Sequence, residues 1–421
     1  MKRIVVMLLV FTLAAAAAVA APVSVDFWHA MTGKNGEMVA AVCDKFNASQ
    51  SEYKVVPVFK GSYSDTMNAG IAAFRAGQAP GIIQVYEVGT ATMMAAKGAV
   101  KPVYKLMAEQ GEKFDPKAYI PTITSYYSTS KGEMLSMPFN SSTSVMYYNK
   151  DAFQKAGLDP EKPPVTWPEF FEAAKKLKAS GMEGGFTTNW ISWIQLENFS
   201  AWHNQSFGTR SNGFDGLDTQ LVFNTPLTIK HFETMYDLSK SKVFIYGGRE
   251  NKANPLFTSG QVGLHFESIG GYGNMKANCK FDFGVARLPY YPDVAGAPQN
   301  SIIGGASLWV MTSPKRTTEE YKAVAEFFRA ACGQGVTLYN VSYVNYSHRD
   351  ADVAEAIDFL KDYPQSALAP NATYWIGICQ ANLKDYKAAL ATQEGLLSRY
   401  PQSPKAPDAL LAIAAVQSEK G

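Results

Sequence analysis

The stretch that decides the fold is Val-Ser-Val-Asp-Phe-Trp-His-Ala-Met at residues 23–31, a short run that begins with alternating apolar and polar side chains. Helical spacing follows it over residues 36–49, and the two patterns then alternate. The further strands are predicted over 53–59 and 81–86, and the further helices over 65–76 and 91–97. Such alternation is typical of an α/β fold with a largely parallel sheet covered by helices on both faces.

The pattern restarts between about residues 135 and 290. Strands are predicted over 134–137 and 145–149 and a helix over 150–156, and Thr166 is placed to cap the helix that opens with Trp-Pro-Glu. A buried strand broken by a glycine pair is then predicted over 301–310 and returns the chain to the first unit. The sequence therefore predicts two lobes with a cleft between them.

Four loops follow the predicted strands, and in α/β folds ligands bind where such loops converge. They are rich in small, hydroxyl-bearing and aromatic side chains. A polyol or sugar suits them, because its carbon faces stack on rings while its hydroxyls form hydrogen bonds. The loops are Trp28-His29-Ala30, Gly61-Ser62-Tyr63, Glu87-Val88-Gly89 and Asn140-Ser141-Ser142.

The amino terminus has the features of a secretory leader. Met1-Lys2-Arg3 is followed by an uncharged apolar run over residues 4–19, and Ala18-Val19-Ala20 has the small residues that a signal peptidase requires. We expect cleavage after Ala20 and export of the mature chain; an uncleaved membrane anchor is the alternative. The leader is thus predicted over residues 1–20.

Composition and motifs argue against several classes of protein. The 39 basic residues nearly balance the 37 acidic ones, so no net field favours nucleic acid. The five histidines form no zinc-binding HExxH pair, and neither a GxSxG elbow nor a GxxxxGK[ST] loop occurs. We therefore predict no catalysis, no metal and no cofactor. Cys43, Cys279, Cys332 and Cys379 lack metal-ligand spacing and are predicted to be unlinked, although sequence leaves their pairing open.

Five segments resemble the periplasmic solute-binding proteins of ABC importers. They are Phe-Arg-Ala-Gly-Gln-Ala-Pro (74–80), Gln-Val-Tyr-Glu-Val-Gly-Thr (84–90), Pro-Phe-Asn-Ser-Ser (138–142), Tyr-Tyr-Asn-Lys-Asp-Ala-Phe (147–153) and Ile-Gly-Gly-Ala-Ser-Leu-Trp-Val (303–310). Within that family, residues 193–202 and 297–305 resemble the members that bind sn-glycerol-3-phosphate. The likeness covers about residues 22–332 and implies two lobes that close on a ligand and deliver it to membrane permease subunits.

The resemblance also implies a set of ligand contacts. Glu87 would accept hydrogen bonds from ligand hydroxyls and Trp190 would stack on the carbon backbone, while the others would donate to phosphate oxygens. Glu267, next to a proposed phosphate donor, departs from the family pattern. The full predicted set is Tyr63, Glu87, Ser142, Trp190, Ser268, Gly304 and Gly305.

The likeness stops near Cys332-Gly333, whereas the family continues with a stretch that supplies a tyrosine and an arginine to the ligand. Arginine pairs with phosphate through two hydrogen bonds, so its loss is expected to weaken phosphate recognition. We predict one domain over residues 21–332, with lobe 1 at about 21–132 and 295–332 and lobe 2 at about 133–294.

The tail has a different pattern. Tyr363-Pro-Gln-Ser and Tyr400-Pro-Gln-Ser lie 37 residues apart, a period typical of helical repeats. Residues 335–421 resemble the tetratricopeptide-repeat domain of the periplasmic cell-division coordinator that works with the Tol-Pal system, which implies a groove for a periplasmic protein partner.

Three interpretations remain open at this point. The first is an extracytoplasmic binding protein for glycerol-3-phosphate, a related glycerophosphodiester or a polyol. The second is a periplasmic interaction scaffold that uses the repeats and has lost ligand binding by truncation. The third is that the junction near residues 332–336 is an artefact that joins two ordinary periplasmic proteins, because no linker rich in Gly, Ser or Pro separates the two patterns.

Overall fold

The structure is a computed structural model that describes residues 21–112, 114–116, 119, 121–213, 215–216, 218–331, 369–382, 385–403 and 405–420. The expected leader and the expected junction near residue 332 lie outside this range. The strands are β1 Val23–His29, β2 Tyr53–Phe59, β3 Ile82–Tyr86, β4 Val100–Lys101, β5 Met137–Ser142, β6 Ser144–Asn149, β7 Gly184–Thr188, β8 Val262–Ser268, β9 Phe283–Ala286 and β10 Gly304–Met311.

The helices lie between these strands and beyond the last of them. They are α1 Gly33–Ser49, α2 Tyr63–Arg75, α3 Thr90–Ala95, α4 Val103–Glu109, α5 Pro121–Tyr126, α6 Lys150–Lys155, α7 Trp167–Ala179, α8 Phe199–Trp202, α9 Thr209–Asn212, α10 Pro226–Lys240, α11 Asn254–Thr258, α12 Tyr272–Asn278, α13 Thr318–Ala331, α14 Ala369–Asn382, α15 Tyr386–Arg399 and α16 Ala406–Lys420.

The first sheet has the order β2-β1-β3-β10-β4, and β5 also pairs with β10. β1 runs parallel to β2 and β3, as the β-α alternation predicts. β10 is antiparallel to β3, so the sheet is mixed rather than largely parallel. The reversal arises because β10 arrives from the second lobe and not through a helical crossover from a neighbouring strand. The return of residues 301–310 to the first lobe is confirmed.

The second sheet has the order β7-β8-β6-β9 and forms the core of the other lobe. Aromatic residues pack against it: Phe170 meets Phe186 edge-on at 4.9 Å between ring centroids, and Trp167 stacks near Phe171 at 5.4 Å. Edge-on and offset pairs of this kind add to the stabilisation that comes from burying the rings.

Helices α2 and α7 each begin with a capping box. Thr166 accepts a hydrogen bond from the Glu169 backbone N–H while the Glu169 carboxylate accepts from the Thr166 backbone, as the predicted N-cap requires. Ser62 and Asp65 make the same reciprocal pair at the start of α2. Each box satisfies backbone N–H groups that a helix start leaves without partners.

The chain crosses between lobes later than the sequence pattern indicates. The sequence predicts a crossing at about residue 133, but β5 pairs with β10 in the first sheet, and β6 is the first strand of the second sheet. The change occurs in the short connection between Ser142 and Ser144. A strand assigned by its apolar pattern alone carries no information about which sheet offers it a hydrogen-bonding edge.

Three helices occupy the described part of the tail. Gly377 of α14 lies against Gln393 of α15, where an added Cβ would approach the Gln393 amide nitrogen to 2.4 Å. Gln393 Nε2 also donates to the Tyr374 carbonyl at 2.8 Å. The small residue thus lets two consecutive helices approach closely.

Two further findings concern the described residues only. Cys43 and Cys279 are both free, with Cys43 buried in the first core, whereas the state of Cys332 and the side chain of Cys379 lie outside the description. Within the described ranges, no helix has both the length and the apolar character needed to span a bilayer.

Candidate functional site

A cleft of about 640 Å³ lies between the two lobes. All the residues that the sequence predicts as ligand contacts line it: Tyr63, Glu87, Ser142, Trp190, Ser268, Gly304 and Gly305. Members of all four predicted loops reach its wall, although Trp28, His29, Val88 and Gly89 are not part of it. The fold therefore gathers into one cavity side chains that are distant in sequence.

Aromatic rings form one wall of the cleft. Tyr63 and Tyr86 stack with their ring centroids 5.4 Å apart and their planes 5° from parallel. Trp190 approaches Tyr63 from the other lobe at 6.3 Å and 51°. Trp193 adds a further ring from a π-helical turn, a distortion that often occurs at functional sites. This wall offers apolar faces to the carbon atoms of a ligand.

A chain of hydrogen bonds holds Tyr63 in place. Asn140 Nδ2 donates to the Tyr63 hydroxyl oxygen at 3.0 Å, and Asn140 Oδ1 accepts from Gln84 at 2.8 Å. Gln84 in turn accepts from the Ala30 backbone N–H at 2.9 Å. Burial raises the pKa of Tyr63, so the phenol stays protonated and keeps a proton to donate to an anion.

Glu87 lies at the base of the first lobe's side of the cleft. Its Oε2 accepts from the Gly305 backbone N–H at 3.1 Å, which joins the end of β3 to β10. Burial raises the pKa of Glu87 to about 7, although the hydrogen bonds to its carboxylate partly oppose that rise. Glu87 therefore changes charge near neutral pH.

The glycine pair allows the cleft to form. Gly305 has φ +124°, and a Cβ there would lie 2.1 Å from the Asn140 carbonyl oxygen. At Gly304 a Cβ would lie 2.4 Å from the Trp193 ring. Neither position accepts a side chain without displacing its neighbour, since β10 passes directly against β5 and the aromatic wall.

Trp190 adopts a left-handed backbone conformation with φ 44°, which is rare for a bulky residue. Its partner Glu250 is also left-handed, at φ 55°, and accepts the Trp190 backbone N–H at 3.0 Å. Strained residues of this kind persist where the surrounding structure holds them, and they cluster at ligand-binding sites. The pair fixes the direction in which the Trp190 ring enters the cleft.

Glu267 is 2% exposed and borders the cleft behind Ser268. Its carboxylate accepts hydrogen bonds from the Ser268 backbone, the Asn189 amide and the Trp190 side chain. Burial raises the pKa of Glu267 to about 7 despite these donors. The Ser268 hydroxyl oxygen accepts from the Gly270 N–H at 3.0 Å, which leaves the hydroxyl proton available to a ligand.

Direct contacts join the lobes across the cleft. The Ser64 hydroxyl of lobe 1 donates to Glu250 Oε1 of lobe 2 at 2.8 Å. Asn35 at the start of α1 donates to the Gly270 carbonyl at 3.4 Å. Thr143 and Ser301 share a hydrogen bond of 2.6 Å between the two connecting segments. These contacts give the chain a means of holding its lobes together around a ligand.

Several polar atoms in the cleft wall have no partner in the described structure. The Ser141 hydroxyl and the Trp193 indole nitrogen are buried and form no hydrogen bond. Buried polar groups of proteins are normally paired, so such atoms mark positions where a ligand or water completes the site. The described residues contain no group of His, Cys, Asp or Glu arranged to hold a metal ion.

Many residues of the wall were not predicted as contacts, and four of them contribute to its rings and hydrogen bonds. Tyr86, Trp193, Glu250 and Asn140 were not predicted as contacts, although Asn140 belongs to a predicted loop. The aromatic-rich segment over residues 190–203 was a signal for Trp193. No local pattern indicates Glu250, because its place depends on the left-handed pairing with Trp190.

Comparison with known proteins agrees with this architecture. A sequence profile of the family described as "Bacterial extracellular solute-binding protein" matches residues 41–365. The chain belongs to this family. It is therefore a solute-binding component of a transporter and not an enzyme. The matched range runs past residue 332, where the quoted motifs end, into residues that the structure does not describe.

Two curated relatives are named "sn-glycerol-3-phosphate-binding periplasmic protein UgpB". The protein from Rhizobium meliloti is 52% identical over 309 residues, which cover 73% of this chain and 71% of that protein. The protein from Yersinia pseudotuberculosis is 50% identical over 319 residues, which cover 76% of this chain and 72% of that protein.

Solved structures share the fold at lower identity. UgpB from Mycobacterium tuberculosis, in complex with glycerophosphocholine, has a TM-score of 0.62 and 22% identity, covering 89% of this chain and 98% of that one. The GacH receptor of Streptomyces glaucescens has a TM-score of 0.63 and 16% identity, covering 86% and 99%. These likenesses confirm the two-lobe periplasmic-binding-protein fold predicted from sequence.

Proposed function

We propose that this chain binds sn-glycerol-3-phosphate, or a related glycerophosphodiester or polyol, between its lobes in the periplasm and delivers it to ABC permease subunits. The observation that carries the proposal is the convergence of the predicted contacts on one cleft, in a chain 52% identical to a relative named for this ligand. We further propose that the leader over residues 1–20 is cleaved after Ala20.

Each predicted contact has chemistry that suits the ligand. Trp190 and the Tyr63 ring would cover the carbon backbone, and Glu87 would accept from its hydroxyls. Ser142, Ser268 and the amides beside Gly304 and Gly305 would donate to phosphate oxygens. The unpartnered Ser141 hydroxyl adds a donor that the sequence did not indicate.

Phosphate recognition by the described residues rests on neutral donors. Lys34 is the one basic residue among the described residues of the cleft wall. Its ammonium group lies 2.7 Å from the Glu37 carboxylate, and both side chains are exposed. Exposed pairs of this kind contribute about 0–1 kcal/mol. Arginine, which pairs with phosphate through two hydrogen bonds, does not occur among the described residues of the wall.

The tail is the basis of the alternative function. We infer a tetratricopeptide-like repeat unit over residues 335–421, beyond a binding domain over 21–332, with a periplasmic protein as its partner. The packed helices α14, α15 and α16 support a repeat of helix pairs, and Gly377 of α14 allows the close approach of Gln393 of α15. A scaffold of this kind could bind its protein partner even if the cleft bound no ligand.

A fluorescence titration tests the proposal. We expect the mature chain to respond to sn-glycerol-3-phosphate and not to maltose. Ser142→Ala should weaken binding by about 5–10-fold, as loss of one neutral hydrogen bond of about 1 kcal/mol predicts. The matched control is Ser128→Ala, outside the cleft wall, which should leave the affinity unchanged. A folded protein that does not bind the phosphate would favour the alternative function as an interaction scaffold.

A further inference from the structure

The described wall of the cleft carries more negative than positive groups. Its acidic residues are Glu37, Glu87, Glu250 and Glu267, whereas its basic residue is Lys34. Lys34 and Glu37 neutralise each other at the exposed rim, and Glu250 is engaged by the Ser64 hydroxyl. A phosphate with two charges would therefore enter a site that has no unpaired cation among the described residues and that contains the buried Glu267 and the partly buried Glu87.

Glu267 is the carboxyl group whose negative charge would repel a bound phosphate most strongly. It is adjacent in sequence to the proposed phosphate donor Ser268, and the Ser268 backbone N–H donates to it. Its other donors, the Asn189 amide and the Trp190 indole, are neutral. Gly271 lies against its side chain, where an added Cβ would approach Glu267 Cγ to 2.8 Å. The carboxyl is thus enclosed by neutral groups on the strand, the neighbouring turn and the Trp190 segment.

The other titratable groups around Glu267 do not neutralise it. His265, on the same strand, reaches it through Asn189, and burial lowers the pKa of His265 to about 3, so the imidazole is uncharged. Glu87 lines the opposite lobe and is itself a carboxyl group, and Glu250 lines the segment that holds Trp190. A negative charge placed at Ser268 would therefore raise the electrostatic cost of an ionised Glu267.

We infer that Glu267 takes up a proton from solvent when the cleft binds a phosphate ligand at Ser268. This inference rests on the proposed function. Protonation removes the carboxylate charge, and the new O–H can donate to a phosphate oxygen, so one repulsive contact becomes a hydrogen bond. Glu267 is thus a specificity residue that makes affinity for a phosphate fall as the pH rises, while affinity for an uncharged polyol depends less on pH.

The proton can be counted by calorimetry with sn-glycerol-3-phosphate at pH 7.5 in two buffers of different ionisation enthalpy. A dependence of the binding enthalpy on the buffer gives the number of protons taken up. With the pKa of Glu267 near 7 in the free protein, we expect between about half a proton and one proton per ligand. The Glu267→Gln variant, which stays neutral, should bind with little proton uptake and with an affinity that changes little from pH 7 to 8.5.

The matched control is Glu326→Gln, a partly buried glutamate of α13 with a raised pKa that lies outside the described cleft wall. It should retain the proton uptake of the parent chain. Uptake that persists in Glu267→Gln would place the proton elsewhere, for example on the phosphate, and would overturn the inference. Binding by the parent chain without any proton uptake would overturn it as well, even if Glu267→Gln failed to fold, and would leave the proposed function intact. Absence of binding at every pH would overturn both.

Discussion

Replacing Gly305 by alanine tests how β10 builds the cleft. Gly305 has φ +124°, a region that side chains disfavour at a cost of about 1–3 kcal/mol. The new Cβ would also lie 2.1 Å from the Asn140 carbonyl oxygen, so β10 and β5 must separate, and such overpacking costs about 1–3 kcal/mol more. We therefore expect the free energy of unfolding to fall by about 2–6 kcal/mol.

The matched control is Gly132→Ala. Gly132 also has a positive φ, of +80°, but an added Cβ meets no atom within 4 Å. That variant should lose only the backbone term, about 1–2 kcal/mol. The difference between the two variants isolates the contact with Asn140.

Urea denaturation followed by far-ultraviolet circular dichroism measures both losses, and a ligand titration measures the effect on the site. The Gly305 N–H should move away from Glu87 Oε2, so Gly305→Ala should also bind ligand more weakly. Equal losses of stability in the two variants, with unchanged binding, would refute the account of this strand pair.

The remaining predictions concern a ring, a helix cap and two buried carboxyl groups. Trp190→Ala should reduce the ligand-dependent change in tryptophan fluorescence, because its ring lines the cleft beside Tyr63 whereas Trp193 remains in the wall; an unchanged signal would reject its stacking role. Thr166→Ala should lower the free energy of unfolding by about 1 kcal/mol in urea titrations, because it removes one side of a capping box; no loss would contradict the assigned cap. Burial raises the pKa of Glu87 and of Glu267 from 4.5 to about 7, so the native chain binds more protons than the unfolded chain between these two pH values. Their stabilising contribution is therefore fully present below pH 4.5 and is lost as the pH rises through 7, by up to about 1.4 kcal/mol per pH unit for each group. Urea titrations from pH 4.5 to 8 should show this decline, and Glu267→Gln should flatten it; a stability that rises over this range would contradict the assigned burial.

The sequence predicted the elements of the first lobe well because their signals are local. The strand over 53–59 has the predicted bounds, and the predicted helix over 65–76 differs by one or two residues at each end. Thr166 was identified as an N-cap from its hydroxyl and the following proline, and the structure confirms it. Periodicity and capping depend only on residues that are close in sequence, so a single sequence is sufficient to predict them.

Local patterns could not predict which sheet β5 joins or whether β10 is parallel or antiparallel to its neighbours. Both depend on which edge is available after the chain has passed through the second lobe. A strand that is buried on both faces reads as a continuous apolar run, and that run does not show whether the strand lies parallel or antiparallel to its neighbour.

The site was predicted through resemblance rather than through pattern. Without it, Glu87 has the sequence context of an ordinary surface carboxylate and Trp190 that of a core ring. Their roles become visible only in the fold, where Glu87 reaches the Gly305 N–H and Trp190 is held left-handed by Glu250. Glu267 is the residue whose departure from the family pattern the sequence did show, and the structure places it in the cleft wall.

Isothermal titration calorimetry of the mature chain with sn-glycerol-3-phosphate, beside maltose, tests the central claim most directly. We predict one binding site for the phosphate with a dissociation constant in the micromolar range, which corresponds to about −8 kcal/mol, and no heat of binding for maltose. A folded, monodisperse sample that binds maltose and not the phosphate, or binds neither, would contradict it.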